Sequence, residues 1–247
     1  MEENGSEIIT TDGSETVLMD GAEMLATPEV HDPSLYETVV TFFQSGGPFM
    51  IPIAIILAIG IAIAIERYLY LSASRARNTL AWNKLQSALA SGNLSQAMGF
   101  AEKSKAAVSR IIHYGFLRAK SSRRRDDVEI AMEEGLMEVL PKLEKRTHYL
   151  ATFANIATLL GLLGTIIGLI GAFTSIAEAN PADKADILSA NISVAMNTTA
   201  FGLMVGIPLL LMHAWLSTKT TEIVDSLEMA SVKVLNFVTD RKPAPAP

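Results

Sequence analysis

Apolar positions along this chain gather into three long uncharged runs, and polar positions fill the segments between them. The runs extend over residues 49–65, 150–177 and 187–216. About 20 helical residues cross the hydrocarbon core of a bilayer, because a helix rises about 1.5 Å per residue. The second and third runs are long enough alone, and aromatic-rich residues 68–71 extend the first. The pattern therefore predicts an all-α, multi-pass membrane protein with transmembrane helices at 48–71, 149–177 and 187–216.

Outside the runs, apolar residues recur at helical spacing. A short helix is predicted at 34–43, followed by helices at 78–90, 94–103, 106–119 and 126–148. Only Pro141 interrupts the path from the last of these into the second run, so we expect a kink there. An apolar stripe also continues the third run beyond residue 216. We therefore predict that the helices of the second and third runs both extend beyond the membrane. The second continues from a cytoplasmic helical domain at 72–148, and the third continues into a helical extension with a disordered tail at 217–247.

Charge orients this arrangement. Residues 1–47 contain ten acidic and no basic residues, whereas residues 66–148 hold fifteen of the twenty Lys and Arg residues. The positive-inside rule then predicts that the basic segment is cytoplasmic and that the N-terminus lies outside. Residues 1–40 are interpreted as an acidic, mostly disordered external tail. The run Arg123 to Arg125 could bind lipid headgroups or a cytoplasmic partner, although a solvated loop that follows the positive-inside rule is the favoured interpretation.

Composition excludes several classes of protein. The mean hydropathy of +0.31 is high for a soluble domain. There are no cysteines, which excludes disulfides and thiolate chemistry. No phosphate-binding loop, nucleophile motif or metal-ligand spacing is visible, so we expect no enzyme, no cofactor, no bound metal and no nucleic-acid partner.

Small residues form a stripe on each of the last two runs. Gly161, Gly164, Gly168 and Gly171 are spaced three, four and three apart, which aligns them at helical pitch. On the third run the stripe consists of residues spaced four, three and four apart, namely Ala195, Thr199, Gly202 and Gly206. Such stripes let membrane helices pack with their backbones close together. Plain packing without any transport role is one interpretation of this pattern.

Uncharged polar residues lie beside these stripes. Asparagine and threonine are costly in lipid unless they are hydrogen-bonded or wet, so their presence favours an ion pathway. The candidates are Thr158, Thr165, Asn191, Asn197, Thr198 and Thr199. No Asp, Glu, Lys or Arg lies within the runs, and His213 near the end of the third is the one titratable candidate. If the chain conducts ions, another chain should supply the carboxylate. Pro208 is a candidate kink or hinge.

Taken together, the two stripes and the three-span order resemble the MotA/TolQ/ExbB family of ion-driven motor subunits. The similarity in the second run lies in the segment Leu160 to Thr165, then Gly168 and Phe173. In the third run it lies in Ala195, Thr199, Ala200, Gly202, Leu203, Gly206, Ile207 and Pro208. Three spans place the chain on the ExbB/TolQ side, since MotA proteins have four.

The resemblance implies a function. It implies a homo-oligomeric ring, a pentamer in better-known members, in a bacterial inner membrane. The ring encloses a single-span partner similar to ExbD, TolR or MotB, which carries an ion-binding aspartate. Ion flow would then power mechanical work such as biopolymer or protein transport. Thr165 and Thr199 match the family's pore threonines.

One departure leaves the ion undecided. ExbB and TolQ proteins usually have a glutamate where this chain has Val194, and Thr198 adds a hydroxyl beside Thr199. Paired threonines resemble sodium-driven stators, because a partly dehydrated sodium ion needs several oxygen ligands, whereas a proton needs only a relay. Protons and sodium ions both stay candidates. A structural membrane scaffold without ion conduction is the alternative function.

Overall fold

A computed structural model describes residues 34–122 and 124–239, and these residues are helical with no β-strand. Its first compact unit, Met1–Thr41, contributes only the start of α1 (Leu35–Ser45) to the described residues. All other elements belong to the second unit, Phe42–Pro247. The helices are α2 (Met50–Ala90), α3 (Leu94–Lys103), α4 (Ala107–Ser121), α5 (Arg125–Glu144), α6 (Thr147–Glu178) and α7 (Lys184–Thr239). The tails at 1–33 and 240–247, interpreted above as disordered, lie outside the described residues.

Three helical segments are long and apolar enough to cross a membrane. They are Met50–Ala90, Arg125–Glu178 and Lys184–Thr239. This confirms the predicted all-α class and the number of candidate spans. At about 1.5 Å per residue, the 41 residues of α2 and the 56 of α7 measure about 60 and 85 Å, so each also extends well beyond a bilayer.

The prediction of which helices continue out of the membrane was partly wrong. α7 is long, as expected, but α2 also continues without a break through the helix predicted at 78–90. The second span is interrupted instead, because Arg146 adopts a left-handed conformation with φ of 66° between α5 and α6. Pro141, where a kink was expected, lies inside α5 three residues before its end.

Two consecutive residues of α2 fix this interruption. The guanidinium of Arg67 is buried and donates a hydrogen bond to the carbonyl of Leu143, at the end of α5. Glu66 forms an ion pair with Arg146, with 2.7 Å between Oε2 and Nη1. A carbonyl in the last turn of a helix has no partner within that helix, so a cation from a neighbour stabilises the end of α5 there.

The apolar and charged parts of the molecule meet at one level. Tyr68 of α2 stacks on Trp215 of α7, with 5.4 Å between ring centroids, and His148 lies 6.3 Å from His213. Aromatic residues of this kind are typical of the boundary between hydrocarbon and water. Beyond this level, α3, α4, α5 and the ends of α2 and α7 form what we call the polar bundle. Its core contains fully buried residues such as Leu85, Ile111, Ile112, Phe116, Leu143 and Leu227.

Candidate ion pathway

The two predicted small-residue stripes face each other across the contact between α6 and α7, which is the most extensive helix contact in the molecule. A Cβ atom built on Gly202 would lie 2.8 Å from the carbonyl oxygen of Ala157 and 2.9 Å from the Cα of Gly161. A Cβ on Gly161 would in turn lie 3.1 Å from the Cα of Gly202. The two backbones therefore touch at this point, and the predicted packing role of both glycines is supported by the geometry.

The same contact continues along both helices. A Cβ on Gly168 would meet Ala195, 3.3 Å from its Cα, and a Cβ on Gly206 would lie 3.1 Å from the carbonyl oxygen of Ala154. Gly164 faces the side chain of Thr198. Because residue numbers rise along one helix and fall along the other, α6 and α7 run antiparallel.

Gly171 is the exception among the predicted packing residues. It is exposed, and a Cβ built there would meet no atom within 4 Å among the described residues. The spacing of three from Gly168 predicted that it lies on the stripe, but at this level of α6 the buried residue is its neighbour Ala172. The predicted packing role of Gly171 has no contact to support it within one chain.

Thr199 joins the two helices directly. Its hydroxyl donates a hydrogen bond of 2.8 Å to the carbonyl of Gly161, although that carbonyl belongs to the other helix. Thr165, one residue past Gly164, is half-buried at the edge of the contact and donates to the carbonyl of Leu162 at 2.6 Å. The hydroxyl oxygen of each threonine keeps its lone pairs, so both can still accept a hydrogen bond or coordinate a cation.

Thr198 and Asn197 both bond to the turn between α1 and α2. The Thr198 side chain is 2% exposed, and its hydroxyl donates to the carbonyl of Gly46 in the turn between α1 and α2. The Asn197 amide donates to the hydroxyl of Ser45 at 3.1 Å. Both side chains therefore fix the turn before α2 against α7, and Thr198 also packs against Gly164, the residue next to Thr165.

The remaining polar candidates bond within their own helices. Thr158 donates to the carbonyl of Ala154 at 3.0 Å, and the Asn191 amide donates to that of Ile187 at 2.8 Å. Pro208 lies within the continuous helix α7, so the hinge role stays a prediction. His213, beside His148, lies at the boundary level and outside the α6–α7 contact. Among the described residues no three or more His, Asp or Glu side chains group as a metal site would.

One polar residue in the second span escaped the sequence analysis. Asn155 is exposed on α6 and has no side-chain hydrogen-bond partner among the described residues. An amide in that position is unfavourable against lipid, so it indicates a surface that faces protein or water in the membrane. The signal was present in the sequence, because Asn155 lies one helical turn before Thr158.

The three long apolar helices and the glycine-lined contact between α6 and α7 define an all-helical, multi-pass membrane protein. A family model described as the MotA/TolQ/ExbB proton channel family matches residues 103–229, which include both small-residue stripes. The chain belongs to this family, whose members are energy-transducing ion channels. It is also 28% identical over 198 residues, 79% of this chain and 69% of the relative, to a protein of Methanothermobacter thermautotrophicus that is named by homology as a biopolymer transport protein of the ExbB type.

Proposed function

We propose that this chain is the ion-conducting subunit of an inner-membrane motor that couples the proton motive force to mechanical work. The observation that carries the proposal is the hydrogen bond from Thr199 to the Gly161 carbonyl, with Thr165 at the edge of the same contact. These oxygens line a helix pair in which the sequence has no charged residue from 150 to 177 or from 187 to 216. The pair thus offers polar steps, but its one titratable group, His213, lies outside the α6–α7 contact, so the contact lacks the titratable group that a proton relay requires.

The missing carboxylate implies a partner. We expect a single-span protein similar to ExbD, TolR or MotB to bring an aspartate to the level of Thr165 and Thr199, enclosed by a homo-oligomeric ring, with five copies the expected number. Such a partner explains why Asn155 and many large apolar side chains of the spans are exposed in one chain. The basic polar bundle would lie in the cytoplasm and α1 outside.

Protons fit the placement of the oxygens better than sodium ions do. The sodium hypothesis rests on Thr198 beside Thr199, but the Thr198 hydroxyl is buried against Gly46. The other hydroxyls along the contact belong to Thr158, Thr165 and Thr199, and each donates to a backbone carbonyl. They are spread over about 10 Å of helix between Thr158 and Thr165 and do not surround one point, as the ligands of a dehydrated cation would. A hydroxyl relay needs only one donor and one acceptor at each step.

Threonine-to-valine variants test the proposal, because valine keeps the shape and removes the hydroxyl. Inverted membrane vesicles would contain the chain together with the single-span protein that co-purifies with it. We expect Thr165→Val and Thr199→Val each to lower ion flux at least about tenfold, since loss of a polar step of about 1.4 kcal/mol has that effect. Thr218→Val is the matched control, because Thr218 bonds only to the carbonyl of Ala214 in its own helix.

The outcomes separate the candidates. Flux driven by a pH gradient without sodium supports proton conduction, whereas flux that requires a sodium gradient supports the sodium alternative. If the wild-type chain gives no ion flux and both threonine variants still support growth, the chain is a structural scaffold. Normal flux in both variants would show that the ion does not pass these hydroxyls. We propose neither an enzymatic activity nor a cofactor besides the transported ion.

A further inference from the structure

A groove between α5 and α7 in the polar bundle combines acidic and apolar residues. It has a volume of about 300 Å³. Its acidic residues are Glu129, Glu133 and Glu228, and its apolar residues include Met132, Leu136 and Val232. No Lys or Arg among the described residues forms an ion pair with these three carboxylates. Val232 is 51% exposed although it lies far from the apolar spans, so this face lacks a partner among the described residues.

A complementary surface lies on α2. Arg77, Leu80 and Lys84 are exposed, and their spacing of three and four places them on one helix face. Leu80 is 63% exposed and lies between the two basic residues on this face. We call these three residues the basic stripe. In the basic stripe an apolar residue lies between two basic residues, and in the groove apolar residues lie between acidic residues.

The basic stripe cannot reach the groove of its own chain. α2 contacts α7 through Arg75, which pairs with Glu222 at 3.1 Å, and Trp82, whose ring lies 5.9 Å from the ammonium of Lys233. At 3.6 residues per turn, the basic stripe points roughly opposite to these two residues. The groove lies on another flank of α7, which leaves the two surfaces on different sides of the molecule.

Both surfaces nevertheless lie at the same distance from the membrane. α2 and α7 run parallel. The contact of Trp82 with Lys233 places Arg77 level with Glu228 and Lys84 level with Leu235.

α5 runs antiparallel to α7, and the 2.9 Å hydrogen bond from Arg125 to Asn236 sets the register between these two helices. Glu133 is therefore level with Glu228, and Glu129 with Val232.

Equal height matters because copies of a membrane protein insert in one orientation. Any rotation axis that relates them is normal to the membrane, so neighbouring copies meet through residues at equal height. Two different complementary surfaces on one subunit form a heterologous contact, which closes into a ring if the rotation permits. We infer that the basic stripe of one copy docks in the α5–α7 groove of the next, with Arg77 facing Glu133 and Glu228, Leu80 on Val232, and Lys84 toward Glu129.

This inference rests on the ring of the proposed function, and cross-linking tests it without disturbing the pathway. The chain has no cysteine, so Leu80→Cys with Val232→Cys introduces one defined pair. Oxidation of the full chain in membranes should give a ladder of cross-linked copies on a denaturing gel. The control pairs Leu117→Cys with Val232→Cys, since Leu117 is another exposed apolar residue of the polar bundle and lies outside the basic stripe.

A charge exchange tests the same contact independently. Glu228→Lys should reduce the oligomeric fraction at least about tenfold, because like charges would then face each other across the interface. Adding Arg77→Glu to the same chain restores an opposite-charge pair between positions 77 and 228 at every interface of a homo-oligomer, while Glu133 stays acidic, and should recover part of the oligomeric fraction. Glu102→Lys, an exposed acidic residue of α3 outside the groove, is the control and should change nothing.

The results distinguish two failures. If native mass measurement shows an intact oligomer but the 80/232 pair gives no ladder and Arg77→Glu does not rescue Glu228→Lys, the docking inference is wrong and the ring stands. If the wild-type chain is monomeric in lipid, both the docking and the ring are overturned. A ladder only in the 80/232 pair, with charge rescue, supports the docking.

Discussion

The α6–α7 contact and the polar bundle hold helices together in opposite ways. In the contact, backbones touch through Gly161 and Gly202 with almost no side chain between them. In the polar bundle, large side chains such as Leu85, Ile111 and Phe116 fill the space between helices and are fully buried. The membrane-spanning segments bury only 22–33% of their most apolar windows, whereas the bundle has a continuous apolar core.

The difference follows from the solvent around each region. In water, burying apolar surface is favourable, so bulky residues stabilise the polar bundle. Lipid tails are as apolar as leucine, so helices in a membrane gain from close packing and interhelical hydrogen bonds instead. Glycine at a crossing point and a threonine that bonds to the opposite backbone meet both requirements. A substitution in one region should therefore change the stability of that region more than that of the other. The two tryptophans report on the regions separately, because Trp82 lies in the polar bundle and Trp215 lies at the boundary.

The largest effect is expected from Phe116→Ala in the polar bundle. Phe116 is 1% exposed, and truncation of such a residue costs about 3–5 kcal/mol through lost burial and a cavity. In Phe116→Ala, the change in Trp82 fluorescence on unfolding should occur at a clearly lower denaturant concentration than in the wild type. In a Trp82→Phe background, Trp215 alone reports the boundary. Leu117→Ala on the exposed side of α4 is the control. Equal loss of both signals would show that the two regions unfold as one unit.

Gly202→Ala should have the next largest effect, and it acts on the other region. The new Cβ would lie 2.8 Å from the Ala157 carbonyl, so α6 and α7 must separate, at a cost of about 1–3 kcal/mol. We expect reduced resistance of the α6–α7 contact to unfolding in detergent. Gly171→Ala is the matched control, because its Cβ meets open space and alanine favours a helix. A destabilised Gly171→Ala variant would mean that Gly171 packs against another copy.

Much of this comparison could be predicted from the sequence. Hydropathy found the spans, and the spacings of Gly161 and Gly202 predicted two stripes that the structure brings face to face. The bounds of α3 also agree with the predicted 94–103. Periodicity could not show which hydroxyls share a surface, because Thr198 faces a turn far away in sequence. Nor could it show the α5–α6 interruption, which depends on Arg67 from another helix.

A smaller effect on stability is expected for Thr199→Val. The variant removes the interhelical hydrogen bond to Gly161, and such bonds in membranes contribute about 0.6 kcal/mol on average. Thr218→Val removes an intrahelical bond of similar length and should change stability less. Unfolding in detergent followed by Trp215 fluorescence measures both. If Thr199→Val lowered the free energy of unfolding by several kcal/mol, the main role of Thr199 would be to stabilise the helix pair. A lower ion flux in that variant would then not indicate loss of a polar step.

The smallest expected effect is a difference between the polar bundle and the α6–α7 contact in how their stability depends on pH. In the polar bundle, the hydrogen bond from the Tyr114 hydroxyl, together with Lys142 and Arg110, lowers the pKa of Glu138, while partial desolvation opposes the shift. A carboxyl whose pKa is lower in the folded than in the unfolded chain stabilises the fold fully above the unfolded value of about 4.3, and this contribution is lost as pH falls below it.

Glu138→Gln should therefore reduce the loss of bundle stability between about pH 5 and pH 3, which chemical unfolding followed by Trp82 fluorescence measures. The same hydrogen bond raises the pKa of Tyr114, so absorbance titration of the variant should show that pKa closer to its ordinary value. Glu102→Gln on α3 is the control. Residues 150–177 and 187–216 contain no Asp, Glu, Lys or Arg, so the Trp215 signal over this range should be the same in Glu138→Gln as in the wild type. A pH-dependent Trp215 signal in the wild type that disappears in Glu138→Gln would instead show that the polar bundle transmits its charge state to the membrane boundary.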